Sequence, residues 1–178
     1  MKRLLASIAG LLVITIYLMS CEKDDLCADG TPTTPGLVVE FYKKGFTDVP
    51  NPVTNFKYWV PGVENDTLPL DTVSSVSRIV LPLRTDQDEI TWALQYNYTS
   101  LGVKYSNTDL FTVKYIRKES YVSRACGFKT TYTLIPAITG SPNPSITDTD
   151  NKLFIEDDPV VITPNIENEK EAHVKIYF

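Results

Sequence analysis

From Ile90 to Thr99 the chain alternates without a break. Ile90, Trp92, Leu94, Tyr96 and Tyr98 fall on one side, and Thr91, Ala93, Gln95, Asn97 and Thr99 on the other. A period of two marks a strand with one face on a core, because successive side chains leave a pleated backbone on opposite faces. The same period recurs along the chain. Leu37, Val39 and Phe41 alternate with Val38, Glu40 and Tyr42, and Phe56, Tyr58 and Val60 form a second candidate that ends at Pro61-Gly62. Residues 77–83 set Ile79, Leu81 and Leu83 on one face, with Pro82 pointing to an edge or a bulge. Then come Phe111, Val113 and Tyr115, the segment 121–134, short strands at 153–155 and 159–162, and a closing set of Ala172, Val174, Ile176 and Phe178.

Turn clusters separate these runs: Asn51-Pro52, Asn65-Asp66, Gly140-Ser141-Pro142-Asn143-Pro144 and Thr147-Asp148-Thr149-Asp150. No window of twelve residues sustains helical spacing, and 165–173 has room for a turn or two of helix at most. Eight or nine short strands joined by polar turns predict an all-β fold over 37–178, an antiparallel β-sandwich that is immunoglobulin-like in shape. A lipocalin-like β-barrel is the alternative. The Cys-Trp-Cys spacing of true immunoglobulin domains is missing, so the likeness is one of architecture and implies no function.

The N-terminus has another character. Lys2 and Arg3 precede an apolar run from Leu4 to Met19, the layout of a secretory signal. Leu18-Met19-Ser20-Cys21 resembles the lipobox of bacterial lipoproteins. That resemblance implies a diacylglyceryl group on the Cys21 thiol, removal of residues 1–20, and acylation of the new amine. Two or three acyl chains on one residue hold firmly where one is marginal, each buried methylene contributing about 0.8 kcal/mol. Two plainer readings stand beside it. One is a membrane-spanning helix, for which the run lies at the short edge of the spanning range; the other is a simple secretion signal with Cys21 incidental.

Residues 21–36 form an acidic tether with Pro32 and Pro35 and little apolar content, expected to be extended. Cys21-Glu22-Lys23-Asp24-Asp25 also resembles the start of Bacteroidota outer-membrane lipoproteins. By that resemblance Lys23, Asp24 and Asp25 act as a surface-export signal, which puts the cell surface ahead of the periplasmic face; a solvated acidic linker is the other reading. Together with Gly30-Thr31-Pro32, Leu37-Val38-Val39-Glu40-Phe41-Tyr42 and Ser123-Arg124-Ala125-Cys126-Gly127-Phe128, the chain resembles a group of uncharacterised lipoproteins of this kind. The group carries no assigned activity. It implies an outer-membrane location, with the membrane as a partner through the N-terminal lipid.

Charge and cysteine usage bound the chemistry. The chain has 17 basic and 22 acidic residues, and loss of Lys2 and Arg3 with the signal leaves 15 against 22, a net charge of −7. Such a domain gains nothing from phosphate counterion release, so nucleic acid is not an expected partner. With Cys21 lipidated, Cys27 and Cys126 remain, an even pair in an oxidising compartment. A bridge between them would be worth about 4 to 5 kcal/mol on the chain-entropy model. Two separate buried thiols are the alternative.

Catalytic patterns are missing. There is one histidine, His173, expected on the polar face of the last strand, and no nucleophile elbow, phosphate loop or zinc-protease motif. A Cys126–His173 pair would need Cys126 free to form a thiolate. Asp148, Asp150 and Asn151, with Glu156, Asp157 and Asp158, gather oxygen ligands, but Lys152, Leu153 and Pro159 break the calcium-loop pattern, and zinc would need more histidine or cysteine. No catalytic residue, metal or cofactor is therefore expected. Among the aromatics, Trp92 and Tyr96 share the core face with Ile90 and Leu94, while Trp59 is a candidate glycan contact if Tyr58 points inward. Asp66-Thr67-Leu68 and Asp71-Thr72-Val73 resemble the Bacteroidota O-glycosylation tripeptide, which would make Thr67 and Thr72 modified residues. The chain is thus expected to be a non-catalytic binding or structural module with a protein or glycan ligand. A glycan-binding accessory lipoprotein is the alternative, and a thiol-dependent enzyme the remote one.

Overall fold

The computed structural model describes residues 26–31, 33–46, 49–62, 75–149 and 153–178. Cys21, Lys23, Asp24, Asp25, Thr67 and Thr72 lie outside the described residues. The described residues divide into two compact units, one drawn from 26–33 and 119–129, the other from 34–118 and 130–178.

The larger unit holds the sandwich. One sheet is ordered β3-β1-β10-β8, with β1 at Leu37–Tyr42, β3 at Arg78–Leu81, β8 at Val160–Val161 and β10 at Val174–Tyr177. The other is ordered β2-β4-β5-β6-β9, with β2 at Phe56–Trp59, β4 at Glu89–Ser100, β5 at Val103–Ser123, β6 at Gly127–Leu134 and β9 at Asn165–Ile166; β7, at Ser145–Asp148, pairs with β5. The sheets pack face to face and do not close into a barrel, so the fold is a β-sandwich. The alternating residues behave as their period requires. Leu37, Val39, Phe41, Ile79, Leu81, Ile90, Trp92, Leu94, Phe111, Val113, Val174 and Ile176 are all buried in one core.

Several elements differ from the sequence expectation. β5 begins at Val103 and runs for 21 residues, far beyond the Phe111–Tyr115 stretch that shows a core face. The segment 121–134 is two strands that meet at a turn over 124–126, where Gly127 takes a φ of +68°. Residues 153–155 are loop, held to β5 by the buried Asp109, whose Oδ2 accepts from the amides of Phe154 (3.1 Å) and Ile155 (3.0 Å). No helix forms in 165–173; instead 165–166 pairs with β6.

β1 and β10 run parallel, the one parallel pair among the described strands, and His173 explains how their seam begins. Its backbone amide donates to the Val38 carbonyl (3.0 Å), and its Nδ1 accepts from the Val38 amide (2.9 Å). The ring thus stands in for a backbone acceptor one residue before β10 starts. His173 is 2% exposed, which corrects its expected place on a polar face. Burial, with a smaller push from Arg78, holds its pKa below the usual imidazole value against the pull of Glu169 and Glu171. Asn143 plays a similar part on β5: its Oδ1 accepts from the Lys114 amide (2.8 Å), and its Nδ2 donates to the carbonyls of Lys114 (2.8 Å) and Ile135 (2.6 Å). Both side chains satisfy backbone groups that a regular ladder would otherwise pair, buried at Val38 and part-buried at Lys114 and Ile135.

At Gly36, ahead of β1, an added Cβ would lie 2.6 Å from Val80 Cγ1 and 3.1 Å from the Leu81 carbonyl. Only glycine lets the chain pass this close. Its amide donates to Glu169 Oε1 (2.7 Å), which ties the residues before β10 to the start of β1.

Candidate functional site

β4 and β5 join through the two-residue turn Leu101-Gly102, with φ at +50° and +78°. Positive φ at both central positions gives the strands the twist that a tight hairpin needs. The register then places Tyr98 opposite Tyr105, and Asn97 opposite Ser106. Along β4 the inward row passes from buried Ile90, Trp92 and Leu94 to half-buried Tyr96 and finally to Tyr98, which is 38% exposed, as is Tyr105. The core face therefore continues into solvent as a stack of tyrosines. Tyr96 and Tyr98 have ring centroids 5.2 Å apart at 26°, and Tyr98 and Tyr105 are 5.1 Å apart at 15°. Tyr96 also meets Phe154 and Phe178, which anchors the inner end of the stack.

Beside this stack lies an open groove of about 370 Å³. Tyr98 and Thr99 of β4, and Tyr105 and Ser106 of β5, line it, together with Asn55, Asn97 and two lysines, Lys57 and Lys104. Asn55 holds a left-handed φ of +49°, which asparagine tolerates better than most residues, and its carbonyl accepts from Asn97 Nδ2 (2.9 Å). That bond fixes the rim of β2 against β4. Gln95 Nε2 donates to Thr108 Oγ1 (3.0 Å) and extends a polar ladder along the face of Asn97 and Ser106, opposite the tyrosine row. Among the described residues the lining contains two ammonium groups and no carboxylate. In a chain with 22 acidic residues, this is a local reversal of sign.

Trp59 sits elsewhere. Tyr58 is buried, as the glycan reading of Trp59 required, yet Trp59 is half-buried opposite Ala93 and does not line the groove. The aromatic residues at the groove are Tyr98 and Tyr105 instead. A signal for it was present: from Ile90 to Thr108 the sequence carries four aromatics and no acidic residue.

Cys27 and Cys126 are joined by a disulfide within the smaller unit, with Cα atoms 4.8 Å apart and a sequence separation of 99. A bridged Cys126 has no thiolate to offer, and His173 Nδ1 is already committed to Val38, so the two residues do not make a nucleophile and base. Arg124 is exposed on the turn that precedes Cys126. Of the acidic turn residues, Asp148 lies in β7 across from Asp109, while Glu156 and Asp157 face Lys44 at 2.8 and 3.2 Å. Among the described residues no group of three His, Cys, Asp or Glu is placed to hold a metal, and no helix is long and apolar enough to cross a membrane.

A family model of unknown function, DUF6452, matches residues 57–178. The chain belongs to DUF6452. The match takes in all but the first residue of β2 and then β3 to β10, with the whole β4–β5 hairpin, so the tyrosine stack and nearly all of the groove lie within the DUF6452 region, and Asn55 just ahead of it. No curated protein and no solved structure matches the chain.

Proposed function

We propose that this DUF6452 protein is a non-catalytic, lipid-anchored lipoprotein of the outer membrane that binds glycans at the tip of the β4–β5 hairpin. The observation that carries the reading is the exposed Tyr98–Tyr105 stack beside an acid-free groove. A sugar ring presents an apolar C–H face that rests on an aromatic ring such as Tyr98 or Tyr105, and a glycan that passes over the edge of the hairpin meets amide and hydroxyl partners on its other face at Asn97, Thr99 and Ser106, with Asn55 beside them. Lys57 and Lys104 favour a saccharide that carries carboxylate or sulfate groups, since opposite charge raises both its local concentration and its rate of arrival. The Leu18-Met19-Ser20-Cys21 stretch supports the anchor, and Lys23, Asp24 and Asp25 support display on the cell surface.

Affinity electrophoresis through gels containing acidic or neutral polysaccharides tests the ligand class. Retardation by an acidic polysaccharide, weakened by about tenfold in Tyr105→Ala and reduced by salt, is the expected result. No retardation in any gel would leave a structural module. Protease accessibility on intact cells, compared with a variant carrying Lys23→Ala, Asp24→Ala and Asp25→Ala, tests surface display.

A further inference from the structure

The turn after β5 carries a second exposed aromatic pair. Tyr121 and Phe128, 61% and 67% exposed, meet edge to face with ring centroids 5.4 Å apart. Between them the chain reverses over 124–126, where the Cys126 amide donates to Ser123 Oγ (3.0 Å). Residues 120–129 contain Arg124 and Lys129 and no carboxylate. Two aromatic rings with adjacent cations at the end of a hairpin match the chemistry of a membrane–water interface, where amphipathic rings and basic side chains concentrate.

The covalent path supplies the second argument. Cys126 is bridged to Cys27, and Cys27 follows Cys21 by six residues. Six residues reach at most about 20 Å. Without the bridge, the first tie between this segment and the strands would be Thr34, whose Oγ1 accepts from the Thr130 amide (2.9 Å), thirteen residues from Cys21 with a reach of about 45 Å. The disulfide therefore sets how far the β5–β6 turn can stand from a lipid on Cys21. We propose that Tyr121 and Phe128 rest in the headgroup layer of the bilayer that holds the Cys21 acyl chains, and that the Cys27–Cys126 bridge keeps them there. This rests on the anchor reading above. A short covalent link makes the contact intramolecular, with an effective concentration in about the millimolar range, so a weak affinity per ring is enough.

The test uses the full-length acylated protein, reconstituted in phosphatidylethanolamine–phosphatidylglycerol vesicles whose acyl chains carry bromine. The probe is Phe128→Trp, read against the parent protein to subtract Trp59 and Trp92. The expected result is an added emission that shifts to the blue and falls by about twofold or more on bromination, as for an interfacial indole. Inserting about twelve Gly/Ser residues between Asp25 and Leu26 leaves the bridge intact and lengthens the link, so the quenching should fall toward the parent value. Cys27→Ser with Cys126→Ser should do the same. An acylated Cys21, verified by mass spectrometry, with an unquenched probe overturns the hairpin contact and leaves the anchor standing. An unacylated Cys21 overturns the anchor and the contact with it. Quenching that survives both the insertion and the loss of the bridge overturns the role given to the disulfide.

Discussion

The turn ahead of β5 and the turn behind it solve the same problem with different means. Both reverse the chain through a glycine in the left-handed region, Gly102 at φ +78° and Gly127 at +68°, and both expose an aromatic pair. The first pair is stacked and continuous with the core through Tyr96, and noncovalent contacts alone hold its end of the hairpin. The second is edge to face, and a disulfide two residues before Phe128 ties its turn to the N-terminal segment. A stack that hands the core face to solvent beside a polar groove suits a ligand site. A stapled pair suits a surface that must be held at a fixed distance from something else.

The sharpest way to break this contrast is to remove the staple. Cys27→Ser with Cys126→Ser should lower stability by up to about 5 kcal/mol, because the bridge closes a loop with a sequence separation of 99 and its entropy returns to the unfolded chain. Urea unfolding of the bridged and serine forms measures the loss. Hydrogen exchange locates it: protection in 119–129 should fall while 97–106 keeps its own. Equal loss at both turns would mean that the bridge braces the whole protein and that the comparison is empty.

A second perturbation separates the turns from the core. His173→Leu leaves the buried Val38 amide without its acceptor and should cost about 1 to 3 kcal/mol. Acid should act on the same bond. The folded pKa of His173 lies below its unfolded value of about 6.5, so the unfolded chain takes up the proton first. The contribution is complete above that value and is lost as pH falls below it toward the folded pKa. Thermal unfolding between pH 7 and 4 should show this loss in the parent and a shallower one in His173→Leu, with exchange at the two turns unchanged.

Stacking comes next in size. Tyr98→Ala and Tyr105→Ala should each weaken glycan binding by about tenfold, and a double-mutant cycle on stability should give a coupling of about 1 kcal/mol between them. Phe128→Ala should leave glycan binding unchanged. If it weakened binding as much as Tyr105→Ala, the two aromatic pairs would not have separate roles.

What the sequence made legible follows from what each element rests on. β4 announces itself because one face is buried for most of its length, and the buried Ile90-Trp92-Leu94 row fixes the period. β5 conceals most of its 21 residues, since Lys104, Arg117, Lys118 and Glu119 occupy stretches where no core face sets an alternation. The Cys27–Cys126 pairing was readable from cysteine count once Cys21 was assigned to lipid. His173 and Asn143 were not readable, because a side chain that replaces a backbone partner is defined by residues far away in sequence, Val38 and Lys114. The groove was half legible. Its aromatic, acid-free composition is local, but which tyrosines stay exposed depends on where Phe154 and Phe178 stop covering the inward face.

The smallest expected effect concerns Leu101. It is fully exposed and sits at φ +50°, where an L-residue with a bulky side chain pays a steric cost that asparagine largely avoids. Asn-Gly is the preferred pair for a two-residue turn with both central φ angles positive. Leu101→Asn should therefore stabilise the protein by about 0.5 to 1 kcal/mol, a rise in Tm of about 1 to 4 °C for a chain of this length. Leu101 does not line the groove, so acidic-glycan affinity should stay within about twofold of the parent. A stabilised variant that also lost binding would show that the ligand reaches over the turn to the leucine side chain, with the strain kept for that contact. The equivalent exchange at the other turn has no such margin, because Gly127 occupies its left-handed position already and the disulfide residue beside it fixes the geometry. The unbraced turn is thus the one with stability still to gain, as expected of a surface shaped for binding ahead of rigidity.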